Sequence, residues 1–145
     1  MPTYLEINRR DLREADFVHT PTAELAPGQV RFRVDRFGLT ANNITYGVMG
    51  DAMRYWDFFP ALDGARGRLP VWGFGTVVES RHHDVPVGQR AYGYWPLGSE
   101  LTIDAGRLDG RSVVDVAEHR AQLPSPYNRY IFTEHDPAYR VGFED

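Results

Sequence analysis

Short apolar runs alternate along this chain with breaks rich in glycine and proline. The clearest run lies in APGQVRFRVDRFGLT, where Val30, Phe32 and Val34 alternate with charged residues, so that one face of a strand is apolar. Pro27 and Gly28 provide a turn before it. Repeated short runs of this kind predict a mainly β domain, a sandwich or a barrel, with few and short helices.

Four further segments are predicted from the same pattern. Strands are expected at residues 4–8, at about 71–80 and 89–94, and in SELTIDAGRL, where Leu101 and Ile103 share a face. The charged segment RRDLREADF is interpreted as a turn or reversal. A helix is expected over about residues 112–123, because Val113, Val116 and Ala117 have helical spacing and Pro124 would end it. The tail, residues 127–145, shows no sustained period.

Composition narrows the function classes. The 145 residues suit one domain, and the absence of cysteine excludes disulfides, a thiolate nucleophile and cysteine-ligated zinc. All 16 cations are arginines scattered among 20 acids, so nucleic acid is not an expected partner. The absence of lysine removes Schiff-base chemistry. With neither an export signal nor an apolar run long enough for a membrane, we expect a cytoplasmic protein without a membrane partner.

The stretch LTANNITYGVMGDAMRYWDFFP, residues 39–60, concentrates amide and aromatic groups. Asn42 and Asn43 can donate and accept hydrogen bonds, and Tyr46 can donate or relay a proton. Four aromatic residues follow within five positions: Tyr55, Trp56, Phe58 and Phe59. Two interpretations stay open: a pocket wall with a few polar groups, or core aromatics with asparagines capping a short helix.

Three other motifs are weaker. GFGTVV lacks the third glycine of a dinucleotide fingerprint, has Val78 there, and continues as a strand, so its glycines are better explained by a bend or a close backbone approach. Two sets of side chains could ligate a metal: His82, His83 and Asp84 in a loop, and Asp115 with His119. Neither set has three ligands at a recognisable spacing, and no metal site is predicted.

The residues also resemble a known group. LAPGQVRFRVDRFGLTANN, LPVWGFGTVVES and VPVGQRAYGYWPLGSELTI are similar, in order and spacing, to the N-terminal domain of the medium-chain dehydrogenase/reductase superfamily. TANNITY followed by YWDFFP, together with HRAQLPSPYNRY, resembles a quinone-oxidoreductase-like family known only as a domain of unknown function. The resemblance implies that residues 1–145 form a single GroES-like, partly open β-barrel domain with one or two short helices.

In that superfamily the GroES-like domain covers a cleft formed with a Rossmann domain, where substrate and nicotinamide meet. Asn43 and Tyr46 match the spacing of cofactor-binding residues in zinc-independent members, which makes Tyr46 a candidate catalytic proton donor. Substrate contacts are then expected from Asn42, Tyr55, Trp56 and Phe59. A catalytic zinc is not expected, because Gly-Phe-Gly replaces the Gly-His-Glu run of zinc-dependent members and cysteine is absent.

The resemblance therefore implies the substrate-side domain of an NAD(P)H-dependent oxidoreductase, acting on a small apolar or carbonyl substrate. The chain ends at Asp145, where a Rossmann domain would begin, so that domain is expected in cis or in trans. Without it, this chain is not expected to bind NAD(P)H tightly. A homo-oligomer stays open.

The alternative is a free-standing module that binds a small ligand or a partner without redox chemistry. A third, weaker interpretation is a cofactor-free isomerase in which Tyr46 works with Asp51 or Asp57. The domain-half interpretation makes a structural prediction: an exposed apolar patch that includes parts of residues 56–60 and 127–132.

Overall fold

The computed structural model describes residues 1–143 and shows a mainly β fold, as predicted. The nine strands of this part of the chain are β1 Thr3–Asn8, β2 Asp11–His19, β3 Gln29–Gly38, β4 Arg66–Arg68, β5 Pro70–Ser80, β6 Arg90–Pro96, β7 Glu100–Gly106, β8 Ser112–Asp115 and β9 Arg129–Phe132. One α-helix, α1 Ala41–Val48, follows β3. Short 3-10 turns lie at Tyr55–Asp57, Glu118–Arg120, Ser125–Asn128 and Thr133–His135. The end of the chain at Asp145, beyond which a Rossmann domain was expected, lies outside the described residues.

Six strands close a barrel in the order β3-β5-β6-β9-β8-β7, and every neighbouring pair is antiparallel. The alternation predicted for β3 is confirmed, because Val30 and Phe32 are fully buried in the barrel core. Trp95 crosses the interior and donates from Nε1 to the Gly73 carbonyl at 2.8 Å. Its ring lies 4.7 Å from that of Tyr130, centroid to centroid, so large side chains fill the barrel.

The glycines of β5 have a packing role. A side chain at Gly73 would place its Cβ 2.0 Å from the carbonyl oxygen of Arg36 on the neighbouring strand β3. At Gly75 a Cβ would meet the carbonyl of Arg33 and the Trp95 ring, each at 2.9 Å. These glycines therefore permit a close approach of another backbone inside a strand, as predicted, and open no helix.

A three-stranded sheet, β2-β1-β4, packs beside the barrel. The segment predicted as a turn forms most of β2 instead, because β1 offers it a complete antiparallel partner from Thr3 to Ile7. Helix α1 lies against this sheet at Gly47, where an added Cβ would sit 2.9 Å from Leu12 and 3.2 Å from Leu69. A helix residue without a side chain thus lets α1 approach the sheet closely.

The helix predicted at residues 112–123 is wrong. Residues Ser112–Asp115 form β8, which pairs with both β7 and β9, and only the turn Glu118–Arg120 is helical. Val113 is fully buried in the barrel core, and the Asp115 carboxylate accepts from the Ala117 N–H at 3.0 Å, which ends the strand. Long-range pairing on both edges outweighs a local helical spacing of apolar residues.

The exposed patch predicted at residues 56–60 and 127–132 is not seen. Trp56, Phe58 and Phe59 are buried, as are Tyr130 and Phe132. Ile131, 38% exposed, is the exposed large apolar residue of these two segments, and others, such as Phe17, Leu39, Ile44 and Val48, lie elsewhere in the described residues. No helix within residues 1–143 is long and apolar enough to cross a membrane.

Candidate functional site

The outer face of the barrel carries a band of aromatic side chains. Because side chains alternate along β5 and β6, Val71, Ala91 and Trp95 enter the core while Trp72 and Tyr94 join a second apolar cluster outside it. Tyr92, next on the same face of β6, stacks on Trp72 with a centroid separation of 5.8 Å and an interplanar angle of 17°. Both rings of this pair are half-buried.

Tyr94 is the centre of this outer cluster. Its ring centroid lies 4.7 Å from Tyr127, 4.9 Å from Trp72 and 5.9 Å from Tyr46. Tyr46 in turn meets Tyr55 edge-on at 4.8 Å. Phe58 and Phe59 close the buried side of the cluster against Tyr94. We call Tyr46, Tyr55, Tyr92, Tyr94 and Tyr127 the tyrosine cluster.

The hydroxyl groups of the tyrosine cluster form a neutral, polar centre. Burial, and then the nearby Tyr46 hydroxyl, raises the pKa of both Tyr94 and Tyr92. Burial and the Tyr55 hydroxyl raise the pKa of Tyr127. The Tyr94 hydroxyl is fully buried and faces the Tyr46 hydroxyl, with a geometry poorer than that of a normal hydrogen bond. It stays protonated at neutral pH, so its O–H remains a hydrogen-bond donor.

A buried polar network supports the cluster from below. Arg120 is 1% exposed and donates to the Asn128 side chain at 3.0 Å and to the Tyr127 carbonyl at 3.3 Å, which fixes the segment that carries Tyr127. Its charge faces Asp115, with Nε 3.6 Å from Oδ2. Tyr130 accepts from Arg120 and donates to the Tyr94 carbonyl at 2.7 Å. Burial raises the pKa of Tyr130 to about 12.

A groove of about 540 Å³ runs from the Trp72–Tyr92 pair across the neighbouring strands β9 and β8. Ile131 and Val114 form its apolar floor. The other residues that line the groove are Ser125, Pro126, Arg107 and Arg129. A smaller groove of about 290 Å³, on the other side of the pair, is lined mainly by β3 and β5. The larger volume lies within the range of small-molecule sites.

The two asparagines that were predicted at the site have different surroundings. Asn43 is buried: its Oδ1 accepts from the Thr40 N–H at 2.7 Å in a capping box, and its Nδ2 donates to the Pro70 carbonyl at 3.0 Å. Asn43 therefore joins the start of α1 to β5. Asn42 is exposed on the helix surface and makes no side-chain hydrogen bond within the described residues.

The predicted aromatic residues divide between two clusters. Tyr46 and Tyr55 are half-buried members of the tyrosine cluster, and Phe59 packs beneath it. Trp56 is buried in the main core instead, pressed between Gly50 and Gly67. The structure thus brings Tyr46, Tyr55 and Phe59 together and separates Trp56 from them.

The two sets of possible metal ligands also have clear positions. His82, His83 and Asp84 lie in one surface loop, with ligand atoms within 4.8 Å of one another and the His83 Nε2 already 2.9 Å from Asp84. Asp115 is buried and engaged with Arg120, whereas His119 is exposed.

Trp72, Tyr92, Tyr94 and Tyr127 were not identified as site residues from the sequence. A signal for three of them exists, because PVWGFG and AYGYWP alternate large aromatics with small or apolar residues, which predicts aromatic rings on one face of each strand. Tyr127 lies in an irregular segment, and no local pattern indicates its position.

A family model described as "Protein of unknown function (DUF2855)" matches residues 37–144, most of the chain, including α1, the whole tyrosine cluster and the larger groove. A search of curated proteins found no match.

Proposed function

We propose a small-molecule-binding function for this chain, which belongs to the DUF2855 family of proteins of unknown function. The ligand is a planar, mostly apolar molecule with a hydrogen-bond acceptor such as a carbonyl. It packs in the groove beside Trp72 and Tyr92, and its acceptor faces the tyrosine cluster.

The observation that carries this proposal is the half-buried aromatic pair backed by neutral hydroxyl groups, one of which, on Tyr94, is buried and has only a poorly aligned contact with the Tyr46 hydroxyl among the described residues. Leaving a buried donor poorly satisfied costs up to about 1–3 kcal/mol, so an acceptor that bonds the half-buried Tyr46 hydroxyl, and through it orients the Tyr94 hydroxyl, recovers part of that cost. Flat apolar walls with a few placed polar groups are typical of sites for planar ligands.

Tryptophan fluorescence can test this proposal. Trp72 is the half-buried tryptophan, whereas Trp56 and Trp95 are at most 3% exposed, so a quinone such as menadione should quench mainly Trp72 emission. We expect saturable quenching that is lost in Trp72→Phe, with binding confirmed by calorimetry. The chain has neither cysteine nor lysine side chains to react covalently with a quinone, which simplifies the assay.

Tyr46→Phe removes one hydroxyl from the cluster and should weaken menadione binding about two- to tenfold, the value of one neutral hydrogen bond. Tyr4→Phe is the matched control, because Tyr4 belongs to β1 and to neither cluster nor groove. Saturable binding that is equal in wild type, Tyr46→Phe and Tyr4→Phe would exclude the tyrosine cluster from recognition. Absence of any menadione binding would contradict the proposal itself.

A second candidate function is the one that the resemblance implies: the substrate-side domain of a zinc-independent NAD(P)H-dependent oxidoreductase of the medium-chain dehydrogenase/reductase type. The position of Tyr46, half-buried at the rim of the cluster, favours it, because a proton donor must reach the substrate. In this proposal Asn43 positions α1, and Tyr46 provides the polar group that faces the reacting atoms.

This second function requires a Rossmann domain in cis or in trans to hold NAD(P)H. Calorimetry of the 145-residue chain with NADPH tests this requirement: we expect no tight binding, and micromolar affinity would refute the assignment of the cofactor site to another domain. The burial of Trp56, Phe58 and Phe59 supports the free-standing module instead, since the patch expected to face a missing domain is not at those residues.

A further inference from the structure

We propose that the larger groove on the outer face of the barrel recognises a planar molecule that carries an acidic group, such as a carboxylate or a sulfonate. The plane of the molecule packs toward Trp72 and Tyr92, and the acidic group lies at the end lined by Arg107 and Arg129. This inference rests on the proposed binding function and adds the charge of the ligand to it.

Arg107 is the first observation that supports an anion. It is exposed and has φ +46°, in the left-handed region that residues with a Cβ seldom adopt. No hydrogen bond or ion pair of its guanidinium is formed within residues 1–143. The groove is therefore lined by a cation that has no partner among residues 1–143, and its backbone has a strained conformation of the kind that clusters at binding sites.

Arg129 is the second observation that supports an anion, because hydrogen bonds to neighbouring side chains fix the position of its guanidinium at the groove. Its Nη1 donates to Asp109 and to the Ser112 hydroxyl, both at 3.0 Å. Asp109 also accepts from two backbone N–H groups, and these bonds lower its pKa to about 2, so it stays ionised. The Nε and Nη2 groups of Arg129 make no hydrogen bond within the described residues and are available to an anion.

The charges and the apolar floor together specify the ligand class. Two arginines and one carboxylate, on Asp109, leave one net positive charge at this end of the groove. Ile131 and Val114 lie between that end and the aromatic pair, so the apolar part of the ligand has to be long enough to cover them and carry the acidic group to the arginines. A free inorganic anion lacks that body, and a neutral planar molecule lacks the charge.

A pair of related probes tests this. Naphthoquinone sulfonate and menadione share the planar ring system and differ mainly in the acidic group. We expect the sulfonate to bind about threefold to tenfold more tightly per arginine engaged, and we expect this advantage to shrink at high salt. Arg107→Asn and Arg129→Gln should each reduce the affinity for the sulfonate by a larger factor than the affinity for menadione, so that the advantage of the sulfonate shrinks.

Arg107→Asn is informative because asparagine tolerates the left-handed region, so the fold should be unaffected. Arg10→Gln is the matched control for a lost surface charge: Arg10 is exposed and lies near the β1–β2 turn, outside the groove. Equal weakening by all three variants would indicate a nonspecific charge effect and overturn the inference.

The outcomes separate this inference from the proposed function. If menadione binds but the sulfonate has no advantage, or if the two groove variants leave that advantage intact, the acidic group is not recognised and only the binding function stands. If neither probe binds, both proposals are overturned.

Discussion

Asn43→Ala gives the most direct test of what the pair of asparagines in TANNITY does in this fold. In the structure the Asn43 amide caps α1 through Thr40 and holds the helix to β5 through the Pro70 carbonyl. Removing the amide should therefore lower the free energy of unfolding, whether or not a ligand is present.

The magnitude follows from the two hydrogen bonds. Losing the capping contact costs about 1 kcal/mol, and leaving the buried Pro70 carbonyl without its donor costs about 1–3 kcal/mol. The better helix propensity of alanine returns about 0.6 kcal/mol. The expected loss is about 1.5–3.5 kcal/mol, which shifts the midpoint of urea unfolding by about 1 M.

Equilibrium urea unfolding monitored by tryptophan fluorescence provides the measurement, and Asn42→Ala is the control. Asn42 precedes Asn43 on the same helix but is exposed, so the same chemical change there should alter stability by no more than about 0.5 kcal/mol. If the two variants have the same midpoint, the buried amide does not anchor α1. A stable Asn43→Ala variant with weakened ligand binding would instead support the cofactor contact that the resemblance implies.

Three further outcomes are expected. Gly67→Ala places a Cβ 2.3 Å from the Trp56 ring, so it should lower the free energy of unfolding by about 1–3 kcal/mol. Gly64 has open space around it, so Gly64→Ala should change the free energy of unfolding little. Because the pKa of Asp109 falls from 3.8 to about 2 on folding, its stabilising effect is complete above pH 4 and is lost as the pH falls toward 2. Asp109→Asn should therefore flatten the pH dependence of unfolding in that window, and an unchanged slope would contradict the assignment. Tyr130→Phe removes a buried hydroxyl that donates to a β6 carbonyl and accepts from a buried guanidinium. The free energy of unfolding, measured by thermal unfolding, should fall by about 1–3 kcal/mol, and a wild-type value would contradict this role.

The fold was predictable where one face of a strand is buried. In β3 the alternation of Val30 and Phe32 with charged residues specifies both the strand and its inner face. The predicted helix at 112–123 failed because Val113, Val114 and Val116 favour a strand as much as their spacing favours a helix, and only pairing with β7 and β9 decides between them. Pairing between distant segments is not a local property of sequence.

The site was predictable only in part for the same reason. Tyr46 and Tyr55 lie in one dense stretch, and the sequence already identified them as candidates. Trp72, Tyr94 and Tyr127 come from three other segments, and only the closing of the barrel and the bonds of the buried Arg120 bring them to Tyr46. The dense stretch indicated a pocket wall but not the surface opposite it.

The packing of the barrel explains why a binding site on this domain has to lie on its outer face. Phe32, Trp95 and Tyr130 stack across the interior with centroid separations of 4.7–5.9 Å, which leaves no room for a ligand there. A second layer of aromatic rings outside β5 and β6 is not needed to fill that core. It is covered by α1 and the 3-10 turns only over Tyr94, and it emerges half-buried at Trp72 and Tyr92. Aromatic surface that the fold itself leaves uncovered, beside an arginine with no partner among the described residues, supports the bound molecule proposed above, since covering Trp72 fully would stabilise the domain more.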